Sequence, residues 1–127
     1  MKNVYIKSTS KTPEVNLDVV LGEFKIYGRS IIENPREFYD PIIDRIEEYS
    51  LKPQSKSVFD IYFEYLSTAS SVCVIKIMTV IKKLRDAGQH INIIIRYDND
   101  DPDMLEKFQA ISQIVNIDAE FRPMARF

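Results

Sequence analysis

From Glu14 to Val19 apolar and polar residues alternate, with Val15, Leu17 and Val19 on one side and Glu14, Asn16 and Asp18 on the other. This period of two predicts a half-buried strand. Glu23 to Gly28 repeats the pattern through Phe24 and Ile26, and with Leu21-Gly22 between them the two runs predict a β-hairpin. Lys2 to Lys7, with Val4 and Ile6 in phase, adds a short strand, and Thr12-Pro13 interrupts the ladder because proline has no N–H to donate. The strongest strand signal is Ser57 to Leu66: Phe59, Ile61, Phe63 and Tyr65 fall on one face, Val58, Asp60, Tyr62, Glu64 and Leu66 on the other. Ile91 to Tyr97 follows the same rule, and Asn116 to Phe121, with Ile117, Ala119 and Phe121 in phase, predicts the last strand.

Between the strands the period lengthens to that of a helix. Asn34-Pro35 opens one that carries Phe38, Ile42, Ile43 and Ile46 to Tyr49, with Pro41 inside it marking a kink or the true start. A second runs to about Ala87 and stops at Gly88, and a third carries Met104, Leu105, Phe108 and Ile111. The order strand, helix, strand, helix, strand from Ser57 onward requires parallel neighbours, and the hairpin makes the sheet mixed. Strands covered on both faces read as continuous apolar runs, whereas these alternate, so the helices pack mainly on one face. The fold expected is α/β, with residues 1–127 forming one domain.

Composition narrows the function. The 127 residues are 45% hydrophobic and 28% charged, as in ordinary soluble domains, and no run approaches the roughly 20 apolar residues of a membrane span. A net charge of -2 supplies no basic footprint for nucleic acid. The opening MKNVYIKSTS lacks the apolar core of a signal peptide, and the sole cysteine, Cys73, has no partner for an intrachain disulfide, so the cytoplasm is the expected compartment.

Enzymatic chemistry finds little to build on. The sole histidine, His90, begins a strand, Cys73 projects inward with Ile77, Val80 and Leu84, and three glycines cannot make a phosphate-cradling loop. Asp98, Asp100, Asp101 and Asp103 resemble a cation loop only in charge; carboxylates in a first helical turn, with Asp101 as cap before Pro102, are a structural arrangement. A small enzyme or ligand-binding domain would have to use Asp60, Tyr62, Glu64 and Arg96 on the open sheet face. No metal or cofactor is expected.

The stretch EYLSTASSVCVIKIM concentrates Ser67, Thr68, Ser70 and Ser71 in front of the second helix. One hydroxyl, Ser70 or a neighbour, serves as cap, with Thr68 in the loop before it. The same place, at the carboxyl end of a parallel strand, suits a phosphate, whose charge of roughly -1.5 to -2 the helix N–H groups accept. Projection of the helix turns Val74, Ile77, Met78 and Ile81 inward and leaves Val72, Ile75 and Thr79 outward beside Lys76 and Lys83, as a docking patch or as a surface covered by the first helix. On the residues alone both questions stay open.

Four segments together carry a resemblance: KTPEVNLD at Lys11–Asp18, GEFKIYGRSIIENPREFYDPI at Gly22–Ile42, FEYLSTASSVCVIKIM at Phe63–Met78 and IRYDNDDPDM at Ile95–Met104. In this order and spacing the chain resembles the SiaC family of regulatory phosphoproteins, whose fold is similar to STAS and anti-sigma-factor antagonist domains. The resemblance implies a non-enzymatic protein whose threonine, in a segment of the type Asn-Thr-Ser-Ser, is phosphorylated by a dedicated Ser/Thr kinase and released by a phosphatase. It implies that the unphosphorylated form binds and activates a diguanylate cyclase, governing cyclic-di-GMP signalling and biofilm formation. Thr68 matches the phosphoacceptor position that the resemblance implies, with Ser67, Ser70 and Ser71 as alternatives, and Val72, Ile75, Lys76 and Thr79, on the outward side of the helix, are the expected partner-binding face. Ser67 replaces the usual asparagine, Ala69 the following serine, Val72 a frequent lysine and Lys76 a frequent acidic residue. A partner-switching regulator of the anti-sigma-factor-antagonist type is the alternative reading.

Overall fold

The computed structural model describes residues 2–125 as one six-stranded sheet with three helices. The elements are β1 (Val4–Ile6), β2 (Glu14–Asp18), β3 (Glu23–Ser30), α1 (Pro35–Ser50), β4 (Lys56–Leu66), α2 (Thr68–Asp86), β5 (His90–Asp98), α3 (Pro102–Val115) and β6 (Glu120–Met124). The strands lie in sequence order: β1, β2 and β3 pair antiparallel, and β3, β4, β5 and β6 pair parallel. Successive crossovers of one hand that always step in the same direction put their helices on the same side, which is the one-sided sheet the alternation predicts.

The core lies between that face and the helices. Val15, Leu17, Phe24, Ile26, Phe59, Ile61, Phe63, Ile93 and Ile95 point into it from the strands. Tyr39, Ile42 and Ile46 of α1, Cys73, Ile77, Met78 and Ile81 of α2, and Phe108 and Ile111 of α3 meet them. Phe24 stacks on Phe59 at 4.6 Å between ring centroids, and Phe63 faces Phe108 at 6.1 Å. Gly22, at φ +70 in the β2–β3 turn, is required there: a Cβ would stand 2.6 Å from the Lys56 carbonyl oxygen. Pro41 sits exposed within α1, which begins at Pro35, so it does not mark the start of the helix.

Several boundaries depart from the sequence pattern. Along β4 the buried phase reverses after Phe63. Gly28 pairs with Phe63 but Arg29 with Tyr65, so Glu64 is an extra residue, Tyr65 turns outward at 48% exposure, and Leu66 turns in. Asp98 belongs to β5 and is buried, not part of the acidic turn. The last strand starts at Glu120 instead of Asn116, because Asn116 adopts the left-handed conformation (φ 59, ψ 55) that terminates α3. The helix after the hydroxyl cluster starts at Thr68, earlier than a Ser70 cap allows.

Candidate functional site

The Glu64 bulge sets up the site. It keeps Leu66 on the buried face opposite Ser30, the last residue of β3, and Ser67 then leaves the sheet with extended backbone (φ -66, ψ 157) as the N-cap of α2. Ser67 N–H donates to the Ser30 carbonyl at 2.9 Å, tying the cap to the neighbouring strand. The cap itself is made by Ser67 Oγ, which accepts from Ser70 N–H at 3.1 Å. Ser67 is therefore the cap in place of Ser70, and Thr68 is the first helical residue, not a loop residue.

The four hydroxyls have different environments. Ser70 Oγ is fully buried and accepts from Ser30 Oγ at 2.8 Å and from Ser67 Oγ at 2.9 Å. Ser30, also fully buried, shares a 2.7 Å hydrogen bond with the hydroxyl of Tyr39 in α1. Burial pushes the ionisation of that phenol upward, so Tyr39 stays neutral. Ser71 Oγ donates to the Ser67 carbonyl at 3.0 Å. Thr68 is the one exposed member of the four.

Thr68 borders a groove of about 260 Å³ lined by Glu64, Tyr65, Asp101, Asp103, Met104 and Lys107. Lys107 Nζ donates to the Leu66 carbonyl at 2.8 Å, and Asp101 caps α3 by accepting from Met104 N–H at 3.2 Å. The groove thus joins the N-terminal ends of α2 and α3 above the carboxyl end of β4. Along α2, residues three and four apart are neighbours, so Thr68, Val72, Ile75, Lys76 and Thr79 form one stripe. Val72 is 54% exposed, Lys76 and Thr79 are exposed, and Ile75 is half-buried against the core. The first helix does not cover Val72. Cys73, one position round from the stripe, is buried, and burial raises its thiol pKa.

The open sheet face presents Asp60, Tyr62 and Arg96, already engaged with one another and with neighbours. Asp60 accepts from Tyr27 Oη and from Arg96 Nε, both at 2.9 Å, and Tyr62 Oη donates to Asp98 at 3.0 Å. Glu64 pairs with Arg29 at 3.3 Å. Burial, then the hydrogen bond to Asp60, pushes the Tyr27 phenol up to about 12, which removes it as a base near neutrality. His90 is exposed at the start of β5, away from this network. No three His, Cys, Asp or Glu side chains among the described residues converge as a metal site, and no helix there is long and apolar enough to cross a membrane.

Ser30, Tyr39, Asp98 and Lys107 are absent from the sequence-derived site. Only Ser30 left a trace: continuing the Phe24, Ile26, Gly28 phase puts a polar serine on the buried face.

The domain is a one-sided α/β sheet that carries an exposed hydroxyl at the head of a solvent-accessible helix stripe. The chain belongs to the SiaC family of regulatory phosphoproteins, whose family profile matches residues 6–124. It is 26% identical over 98 residues to an uncharacterized protein of Pseudomonas aeruginosa (strain UCBPP-PA14), covering 77% of this chain and 78% of that one. Its fold is that of apo-SiaC from Pseudomonas aeruginosa (TM-score 0.82, 22% identity, 98% of this chain and 100% of the other). It is also that of a Pseudomonas aeruginosa complex of the diguanylate cyclase SiaD with its activator SiaC (TM-score 0.88, 21% identity, 95% and 99% covered).

Proposed function

We propose that the chain is a cytoplasmic, non-enzymatic single-domain switch whose unphosphorylated form binds and activates a diguanylate cyclase, and that Thr68 is its phosphoacceptor. The observation carrying this reading is that Thr68, the exposed hydroxyl of its cluster, sits one helical turn before exposed Val72 on the same stripe. The stripe Val72, Ile75, Lys76 and Thr79 is the docking face, and membership in a family of regulatory phosphoproteins supports the assignment. The SiaD–SiaC complex supplies the class of partner.

In the modification step a Ser/Thr kinase passes the γ-phosphoryl group of a nucleoside triphosphate to Thr68 Oγ1. The new O–P bond forms as the bond to the departing diphosphate breaks, and the threonine proton goes to the kinase's base. A phosphatase restores the hydroxyl by hydrolysis. The phosphate gains from the N-terminus of α2, whose first turn carries no acidic residue, so the helix need not melt. Its charge lies beside the groove that holds Glu64, Asp101 and Asp103, and next to Val72. The surface around Val72 becomes more strongly anionic and hydrated at this end, and covering it costs the partner desolvation.

The test is intact mass and site mapping after co-expression with the cognate kinase. One phosphate on the wild type and none on Thr68→Ala is the expected result; a phosphate that persists on Thr68→Ala refutes the site.

A further inference from the structure

We propose that the buried hydroxyl chain Tyr39–Ser30–Ser70–Ser67 determines which residue is phosphorylated, holding the first turn of α2 so that Thr68 alone is offered to the kinase. The inference rests on the reading of Thr68 as phosphoacceptor and adds positioning residues to it. A hydroxyl accepts a phosphoryl group by attacking phosphorus with an oxygen lone pair while its proton leaves to a base. Ser70 Oγ has both lone pairs occupied, by Ser30 and Ser67, and no access to solvent. Ser67 Oγ is tied to Ser70 twice, as acceptor from its N–H and as donor to its Oγ. Ser71 has its proton committed to the Ser67 carbonyl.

These restraints depend on an anchor outside the helix. Ser30 is held from the far side by Tyr39, so the chain fixes the α2 terminus to β3 and α1 at once. Loss of the Ser30 hydroxyl leaves the cap bond and the backbone bond from Ser67 N–H to the Ser30 carbonyl but removes the side-chain tether to Ser70, and loss of the Tyr39 hydroxyl frees the Ser30 side chain that makes it. The first turn then opens more often, by about tenfold for one hydrogen bond of this kind. In the opened turn Ser67, Ser70 and Ser71 reach the kinase as Thr68 does, and the phosphoryl group passes from the nucleoside triphosphate to a serine Oγ with the same exchange of bonds and proton.

The experiment compares wild type, Ser30→Ala, Tyr39→Phe and Ile93→Val, each also carrying Thr68→Ala in a parallel set. All are treated with the cognate kinase and a nucleoside triphosphate and mapped by tandem mass spectrometry. Ile93→Val loosens the core in β5, away from the chain, and controls for lost stability. Amide hydrogen exchange at Ser70 and Ser71 reads the opening of the turn without any kinase. The expected result is about tenfold faster exchange and about tenfold more serine phosphate in Ser30→Ala and Tyr39→Phe, with neither in Ile93→Val. Phosphate confined to Thr68 in both variants, or serine phosphate rising equally in Ile93→Val, overturns this inference and leaves the Thr68 reading standing. A wild-type chain phosphorylated elsewhere than Thr68 overturns both.

Discussion

Replacing Ser67 by alanine separates the residue that builds the α2 terminus from the residue that carries its signal. The change removes the cap bond from Ser70 N–H and the donation to Ser70 Oγ. An N-cap serine contributes about 1 kcal/mol, and the second, neutral hydrogen bond up to about 1 kcal/mol more. Ser70 Oγ keeps its Ser30 partner, so no full penalty for an orphaned buried hydroxyl is added. The expected loss is therefore about 1.5–2 kcal/mol, which lowers Tm by roughly 6–8 °C in a chain of this size. Thr68→Ala removes an exposed side chain at the first helical position and gains slightly in helix propensity, so its stability stays within about 0.5 kcal/mol of wild type. Ser67→Asn restores a good cap and recovers most of the loss. Urea and thermal unfolding followed by far-ultraviolet circular dichroism measure all three. If Thr68→Ala costs as much as Ser67→Ala, then Thr68 contributes to the cap and the two residues do not divide the work between them.

Gly22→Ala is expected to be severely destabilising, by about 2 kcal/mol or more, because it combines positive φ with a Cβ at 2.6 Å from the Lys56 carbonyl oxygen; an unchanged urea midpoint contradicts the turn geometry. Stability should also fall as the solution is made alkaline. Tyr27 is raised to about 12 and Tyr39 is raised further by burial, so the unfolded chain loses these protons from about pH 10 while the folded chain retains them; the stability they contribute is complete below about pH 10, Tyr27's share is lost through about pH 12, and Tyr39's share goes on falling beyond it. Urea midpoints between about pH 9 and pH 11 measure this, and Tyr27→Phe should flatten part of the slope. Val72→Asp, at an exposed site, should leave stability within about 0.5 kcal/mol and weaken cyclase binding by tenfold or so; unchanged affinity removes Val72 from the docking face.

The one-sided sheet was legible because alternation reports burial directly: Val15 and Leu17, Phe24 and Ile26, and Phe59 and Ile61 each point inward while their neighbours face solvent. The inward face of α2 was legible for the same reason, through Val74, Ile77, Met78 and Ile81. What alternation cannot encode is an insertion in one strand relative to its partner. The bulge at Glu64 depends on pairing with Arg29 across the sheet, and everything after it, including the placement of Leu66 and Ser67, follows from that pairing. Asp98 was misplaced because four aspartates in six residues read as a single turn, whereas its burial depends on Tyr62, 36 positions away. The hydroxyl chain was illegible for a related reason: Ser30, Tyr39 and Ser70 come from three elements and meet only when the helices close on the sheet.

A phosphate on Thr68 is expected to turn off the docking stripe that Val72, Ile75, Lys76 and Thr79 form on α2. The most direct measurement of this is the affinity of a diguanylate cyclase from the same genome for the purified unphosphorylated chain and for the chain phosphorylated homogeneously at Thr68. Binding and cyclase activation by the first, and at least about tenfold weaker binding by the second, are expected. Equal affinities for the two forms contradict this switch.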